Sequence, residues 1–206
     1  SDTLRILSDT TENHKKIFAY HGVRIFNSQI QGSCDSLSFI EQVELMTLYI
    51  SPIIWSENAE LKDSMQIHLK DSLIDNIDIY DNSSVVMELD SGTFYNQISG
   101  KDIIALMKKG KLTQTDVYGS ATTIYYPEDE EQTDSLLTIK RMGLNKLEAS
   151  TLTVHLDSGE VTGVTYRTQP NGIFYPIDQM NEKDKWIKNF KWNPLLRPKD
   201  FSTLDD

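Results

Sequence analysis

His68 and His155 stand 87 residues apart, at matching places in two copies of a repeated segment, so both are expected to face the same side of the protein. Imidazoles on one surface can share a metal ion if a third ligand joins them. Leu106 occupies the corresponding place in the copy between them, so no third ligand is supplied, and solvent-facing histidines are expected. The acidic run Glu128, Asp129, Glu130, Glu131 and Asp134 offers oxygen ligands for calcium. It lacks the alternate spacing and the glycine of a calcium loop, and reads as a solvated surface loop. Asp75, Asp78 and Asp81 recur every third residue across a strand and a turn, which places them on no single face. Cys34 is the single cysteine, which excludes an internal disulfide and a multi-cysteine zinc site within one chain. Lys101, Lys108, Lys109 and Lys111 form the densest basic group and read as a solvated hairpin. There is no G-x-S-x-G elbow, no H-E-x-x-H pair and no phosphate-binding glycine loop. The 31 acidic residues can be paired in too many ways for any one pair to mark a glycosidase. The expectation is a protein that is not an enzyme and uses neither metal nor cofactor.

Composition narrows the choice further. The 206 residues are 38% hydrophobic and 25% charged, enough for one well-buried domain and too apolar for a disordered chain. A formal net charge of −11, with no long basic run, argues against a nucleic-acid partner. No apolar run reaches membrane-spanning length. The first residues, SDTLRILSDT, carry neither the basic start nor the apolar core of a secretion signal, although a cleaved leader would leave no trace in such a sequence.

The elements that hold these residues repeat. LKDSLIDNIDIY (69–80) returns as MKKGKLTQTDVY (107–118) and as LDSGEVTGVTYR (156–167), offset by 38 and 87 residues. At those offsets Ile74, Leu112 and Val161 coincide, as do Ile77, Thr115 and Val164, and then Ile79, Val117 and Tyr166. In each copy an apolar strand end runs into a polar turn and returns as a second strand, the pattern of a hairpin. A second junction ends a strand at Tyr20, Tyr49, Tyr80, Tyr118 and, in the last copy, Arg167, each followed by a turn and the next strand. The tripeptides IQG (30–32), LKD (61–63), ISG (98–100) and LEA (147–149) are expected to open each following strand, giving about five rungs. Met65, Ile67 and Leu69 alternate with Gln66 and His68, so one face is apolar and one wet.

This pattern predicts a single all-β domain over residues 17–180, after an extended lead-in at 1–16. A cap and tail at 181–206 are expected to contain the one helix, Asn181–Phe190, with Asn181 as its cap and Trp186, Ile187 and Phe190 as its apolar stripe. Such a cap would cover the last rung, which otherwise leaves its apolar face in water.

The order of the pieces resembles the OstA-like family, related to the periplasmic lipopolysaccharide-transport protein LptA and to the N-terminal domain of its outer-membrane partner, LptD. The segments that carry the likeness are GSCDSLSF (32–39), SPIIWSENAEL (51–61), ISGKDI (98–103), VYGSATTIYYPEDE (117–130), IFYPIDQM (173–180) and FKWNPLLRPK (190–199). The resemblance implies a β-jellyroll or folded-over sheet in the periplasm whose interior holds acyl chains, with modules joined end to end through edge strands.

On that basis the partners expected are lipopolysaccharide or a related acylated lipid, together with other transport components or further copies of the chain. The candidate lining is Leu37, Phe39, Trp55, Met65, Ile67, Leu69, Ile77, Ile79, Val85, Met87, Ile103, Val117, Leu152, Val154 and Val164. Residues of this type at strand spacing are equally what a plain core requires, so a dry scaffold acting through its edge strands stands as the alternative. The net charge adds a constraint, because lipopolysaccharide head groups are anionic. Either the acyl chains provide the binding, or local Lys and Arg residues at the mouth offset the charge.

Overall fold

At each tyrosine-ended junction the backbone enters the left-handed region: His21 (φ 62°) and Gly22 (71°), Ile50 (60°) and Ser51 (53°), Asp81 (79°), Gly119 (75°) and Ser120 (54°), Thr168 (63°) and Gln169 (53°). These are sharp corners, and every one carries the chain from one sheet layer to a second. The computed structural model in which they are seen describes residues 1–8, 14–27, 30–133, 136–188 and 190–199, with backbone alone at 130–139.

The first strands are β1 (Thr3–Ser8), β2 (Lys15–Tyr20), β3 (Val23–Phe26), β4 (Gln31–Cys34), β5 (Ser36–Ile40), β6 (Leu45–Tyr49), β7 (Ile53–Ser56), β8 (Ala59–Lys62) and β9 (Met65–Lys70). There follow β10 (Leu73–Ile79), β11 (Ser84–Leu89), β12 (Phe94–Ser99), β13 (Asp102–Lys108) and the long β14 (Lys111–Tyr125). The acidic insertion forms β15 (Glu128–Thr133) and β16 (Leu136–Arg141), and the chain closes with β17 (Gly143–Asp157), β18 (Glu160–Arg167) and β19 (Asn171–Pro176).

All pairings are antiparallel, and seventeen strands form one sheet folded over on itself. The first layer runs β1-β2-β5-β6-β9-β10-β13-β14-β17-β18. The second runs β3-β4-β7-β8-β11-β12-β14-β17-β19. β14 and β17 belong to both, bending where their pairing shifts register between Tyr118 and Ala121. The all-β domain expected from the repeats, and the folded-over sheet that the resemblance implies, are the architecture seen.

Outgoing and returning crossings bond to each other along one long side. Asp35 N donates to Ile50 O (3.2 Å), Tyr80 N to Ser64 O (2.8 Å), Lys101 N to Tyr118 O (3.0 Å) and Ser150 N to Thr168 O (3.3 Å). Gly100 is required at one of them, since a Cβ there would lie 2.4 Å from Val117 Cγ1. LKD, ISG and LEA fall on this side, whereas IQG lies at the β3–β4 turn on the opposite side, and LKD and ISG close a strand of the second layer instead of opening one. IQG is also placed two residues early: Gly32, not Ile30, stands level with Ile54 and Leu61.

Levels in the first layer follow the repeat. Ile77, Ala105, Thr115, Val154 and Val164 form one row, and Ile79, Ile103, Val117, Leu152 and Tyr166 the next, two residues along every strand. Both rows point at the second layer, where Ile54, Leu61, Val85, Met87 and Ile98 join them in one core. Fully burying an aliphatic side chain contributes about 1.5–3 kcal/mol, so two such rows are the main source of cohesion.

Three expectations about the ends change. Residues 3–8 of the lead-in pair with Lys15–Tyr20 as an edge strand. The acidic run lies on a separate hairpin, where Arg141 bridges Glu128 (2.5 Å) and Asp90 (2.8 Å); Asp134 lies outside the described residues. The helix expected at Asn181–Phe190 is not formed: the described residues there make isolated turns, Asp184 N to Asn181 O and Phe190 N to Ile187 O. The reason is tertiary. Gln97 of β12 takes two backbone groups of this segment, donating to Lys185 O (2.7 Å) and accepting from Ile187 N (2.9 Å), which are then unavailable to an i→i−4 ladder. The segment still covers apolar surface, with Ile187 packed on Ile124, Tyr126 and Leu144 on the outer face of the second layer. Phe190 packs against the same cluster, and Trp186 and Phe190 stack with Tyr95, at 6.0 and 5.4 Å between ring centres.

Candidate functional site

Of the candidate lining residues, Leu37, Met65, Ile67, Ile77, Ile79, Val85, Met87, Ile103, Val117, Leu152 and Val154 are buried in the core between the layers. Phe39, Leu69 and Val164 are partly buried and pack against it. Trp55 does not belong there. Neighbouring residues in a strand point to opposite faces, and since Ile54 points inward, Trp55 points outward. Its ring is buried on the outer face, and its Nε1 donates to Glu60 Oε2 (2.9 Å). The run Ile53–Ser56 is buried on both sides, so its sequence shows no alternation from which the direction could be read.

On the long side opposite the corners, contacts between hairpin tips join the layers among the described residues. Ser56 Oγ donates to Gly110 O (3.2 Å), and Lys111 forms an ion pair with Glu57 (2.8 Å). Further along, a gap of about 20 Å³ opens between the layers, lined by residues that include Met87, Ile98, Val154, Val161, Val164 and Tyr166. A larger cleft, of about 540 Å³, lies outside it on the corner side, among Asp81, Lys101, Lys146, Trp186 and Lys188, and is open to water.

Hydroxyl groups in this region are mostly satisfied. Thr123 Oγ1 and Tyr166 OH are 2.8 Å apart across the two layers, and Ser83 Oγ donates to Ile79 O (2.8 Å). Thr115 is fully buried, and its Oγ1 has no hydrogen-bond partner. Burial pushes the Cys34 thiol up to about 11, so it is an inert member of the core at neutral pH. Burial likewise pushes the Tyr126 phenol up to about 12, with Glu182 adding to the effect.

The two ends of the fold are open. β1 has no second-layer strand opposite it, so Leu4 (62% exposed) and Ile6 (55% exposed) leave the inward-facing rows uncovered. At the other end β18 and β19 are edges, and Phe174 of β19 is 47% exposed. Unpaired edges of this length are templates for another strand.

The residues singled out for metal chemistry remain apart. His68 and His155 do share the outer face of the first layer, but β9 and β17 are four strand spacings apart, roughly 19 Å. His68 instead bonds to Asp78 (3.0 Å). Among the described residues no cluster of three or more His, Cys, Asp or Glu side chains is placed to hold a metal ion. Lys108, Lys109 and Lys111 crowd the β13–β14 tip, while Lys101 lies at a corner on the other side.

Sequence reasoning missed the tip-to-tip contacts and Thr115. The second had a visible signal, because Thr115 is a hydroxyl residue at a repeat position filled by Ile77 and Val164 in the other two copies. No protein-family model matches this chain, and no curated protein matches it.

Proposed function

We propose that this protein binds the acyl chains of lipopolysaccharide or a related amphiphile between its two layers and helps carry it across the periplasm. The observation that carries the reading is the asymmetry of closure. One long side is joined by backbone hydrogen bonds at every corner, whereas the other is held by the Ser56–Gly110 and Glu57–Lys111 contacts at the hairpin tips. Hinging at the corners would part the layers without breaking a strand ladder, at the cost of the Thr123–Tyr166 hydrogen bond, and the surface so exposed is largely apolar. Each buried CH₂ is worth about 0.8 kcal/mol, so a few acyl chains would offset the loss of contacts between the layers. The anionic head group would stay outside, near the lysines of the β13–β14 tip, which suits a protein of net charge −11 better than binding through its overall field. The edge strands at the two ends would pair with neighbouring transport components or with further copies.

A second reading is favoured by the small volume of the gap: a closed, dry scaffold whose edges alone do the work. Native mass spectrometry on protein purified without detergent separates the two. Co-purified acylated lipid, lost on delipidation and regained on incubation with lipopolysaccharide, supports the carrier. Protein that stays at the mass of the bare chain, and assembles only as its concentration rises, overturns it.

A further inference from the structure

Thr115 stands in the middle of the inward-facing row of the first layer, level with Ala105 on β13 and Val154 on β17. It is fully buried, and among the described residues its hydroxyl is the buried side-chain polar atom without a partner. Such a group is costly in a dry core, and a valine of nearly the same shape would avoid the cost. The next strands of the row bring Val154 and Val164, which line the gap between the layers, so Thr115 is one strand spacing, about 4.8 Å, from a residue that lines it. Ala105 beside it adds only a methyl group to the row. The Thr123 hydroxyl is already engaged with Tyr166, which leaves Thr115, among the described residues, as the buried hydroxyl without a partner.

We infer that Thr115 is a specificity-determining residue, whose hydroxyl donates a hydrogen bond to the carbonyl of an ester- or amide-linked acyl chain seated between the layers. The inference rests on the carrier reading above. It adds that the site distinguishes a chain bearing a carbonyl near its head from an alkyl chain of the same length without one. The donor belongs to the protein, the carbonyl oxygen accepts, and the chain beyond it runs along the apolar rows.

The test uses the full chain and N-phenylnaphthylamine as a fluorescent occupant, displaced by N-dodecanoylglucosamine or by dodecyl glucoside. Thr115→Val is expected to weaken the amide-linked competitor about fivefold to tenfold and leave the glucoside unchanged, the effect of one hydrogen bond. It should also raise the melting temperature of the unliganded protein, and Thr115→Ser should retain the amide preference. If Thr115→Val shifts both competitors equally, or neither, while the wild type binds them, the role of Thr115 is refuted and the carrier reading stands. If the wild type takes up neither the dye nor either competitor, both fall together.

Discussion

Replacing Asn193 with alanine tests how the C-terminal segment is fastened, and the size of the effect can be worked from the contacts. Glu60 is fully buried on the outer face of the second layer. Its Oε2 accepts from Trp55 Nε1 (2.9 Å) and from the backbone N of Asn193 (3.0 Å), and its Oε1 accepts from Asn193 Nδ2 (2.9 Å) and pairs with Lys62. Asn193→Ala removes one of these bonds and leaves the backbone bond in place. A hydrogen bond to a charged group is worth about 1.5–3 kcal/mol, and because Asn193 is only half-buried, water can replace the lost donor, which favours the low end. A loss of about 1.5 kcal/mol lowers the melting temperature of a chain this size by about 3–6 °C. The assay is thermal and urea unfolding followed by tryptophan fluorescence, with Leu195→Ala, at a residue 94% exposed, as the silent control. Asn193→Asp sets a second carboxylate against Glu60 and should cost more at pH 7. An Asn193→Ala protein that melts with the wild type would refute the fastening role of Glu60.

Ile79→Asp places a carboxylate in the fully buried inner row, where an unpaired charge costs several kcal/mol against a total stability of about 5–15 kcal/mol; circular dichroism should show a largely unfolded protein. A folded Ile79→Asp protein would mean that this part of the interior is already open to water. Ile50 is a β-branched residue in the left-handed region, 69% exposed, so Ile50→Asn should stabilise by about 1 kcal/mol and raise the melting temperature by about 2–4 °C. The paired change Ser56→Ala with Lys111→Glu removes both tip-to-tip contacts and opposes Glu57 with a like charge. Hydrogen exchange should then quicken across residues 54–61 and 105–115 and stay unchanged at the corners, whereas an unaltered exchange map would mean the tips do not hold the layers together.

The strand rows were legible in the sequence because a period of two in a half-buried strand and a repeat of the whole hairpin both leave apolar residues at fixed offsets. Ile77, Thr115 and Val164, aligned by sequence, lie on one level in space. What local pattern could not supply was the partner across each corner. Tyr49-Ile50-Ser51-Pro52 announces a reversal, but nothing in it says that the next strand joins a different layer. The same limit applies at the C-terminus, where the spacing of Trp186, Ile187 and Phe190 suits a helix until Gln97, some ninety residues earlier, claims the backbone. Trp55 was misdirected because a strand buried on both faces loses its alternation, and the pairing of Glu60 with Asn193 spans 133 residues of sequence. Thr115 was in view in the repeat alignment, and only its burial without a partner gave the substitution meaning.

Native mass spectrometry of the chain after incubation with hexa-acylated lipid A and removal of the excess bears most directly on the carrier account. The account predicts a complex at defined stoichiometry that protects the inner rows from exchange and is blocked when Glu57→Cys and Lys111→Cys are oxidised to tie the tips together. Bare protein at every lipid concentration, with the tied and untied forms indistinguishable, would contradict it.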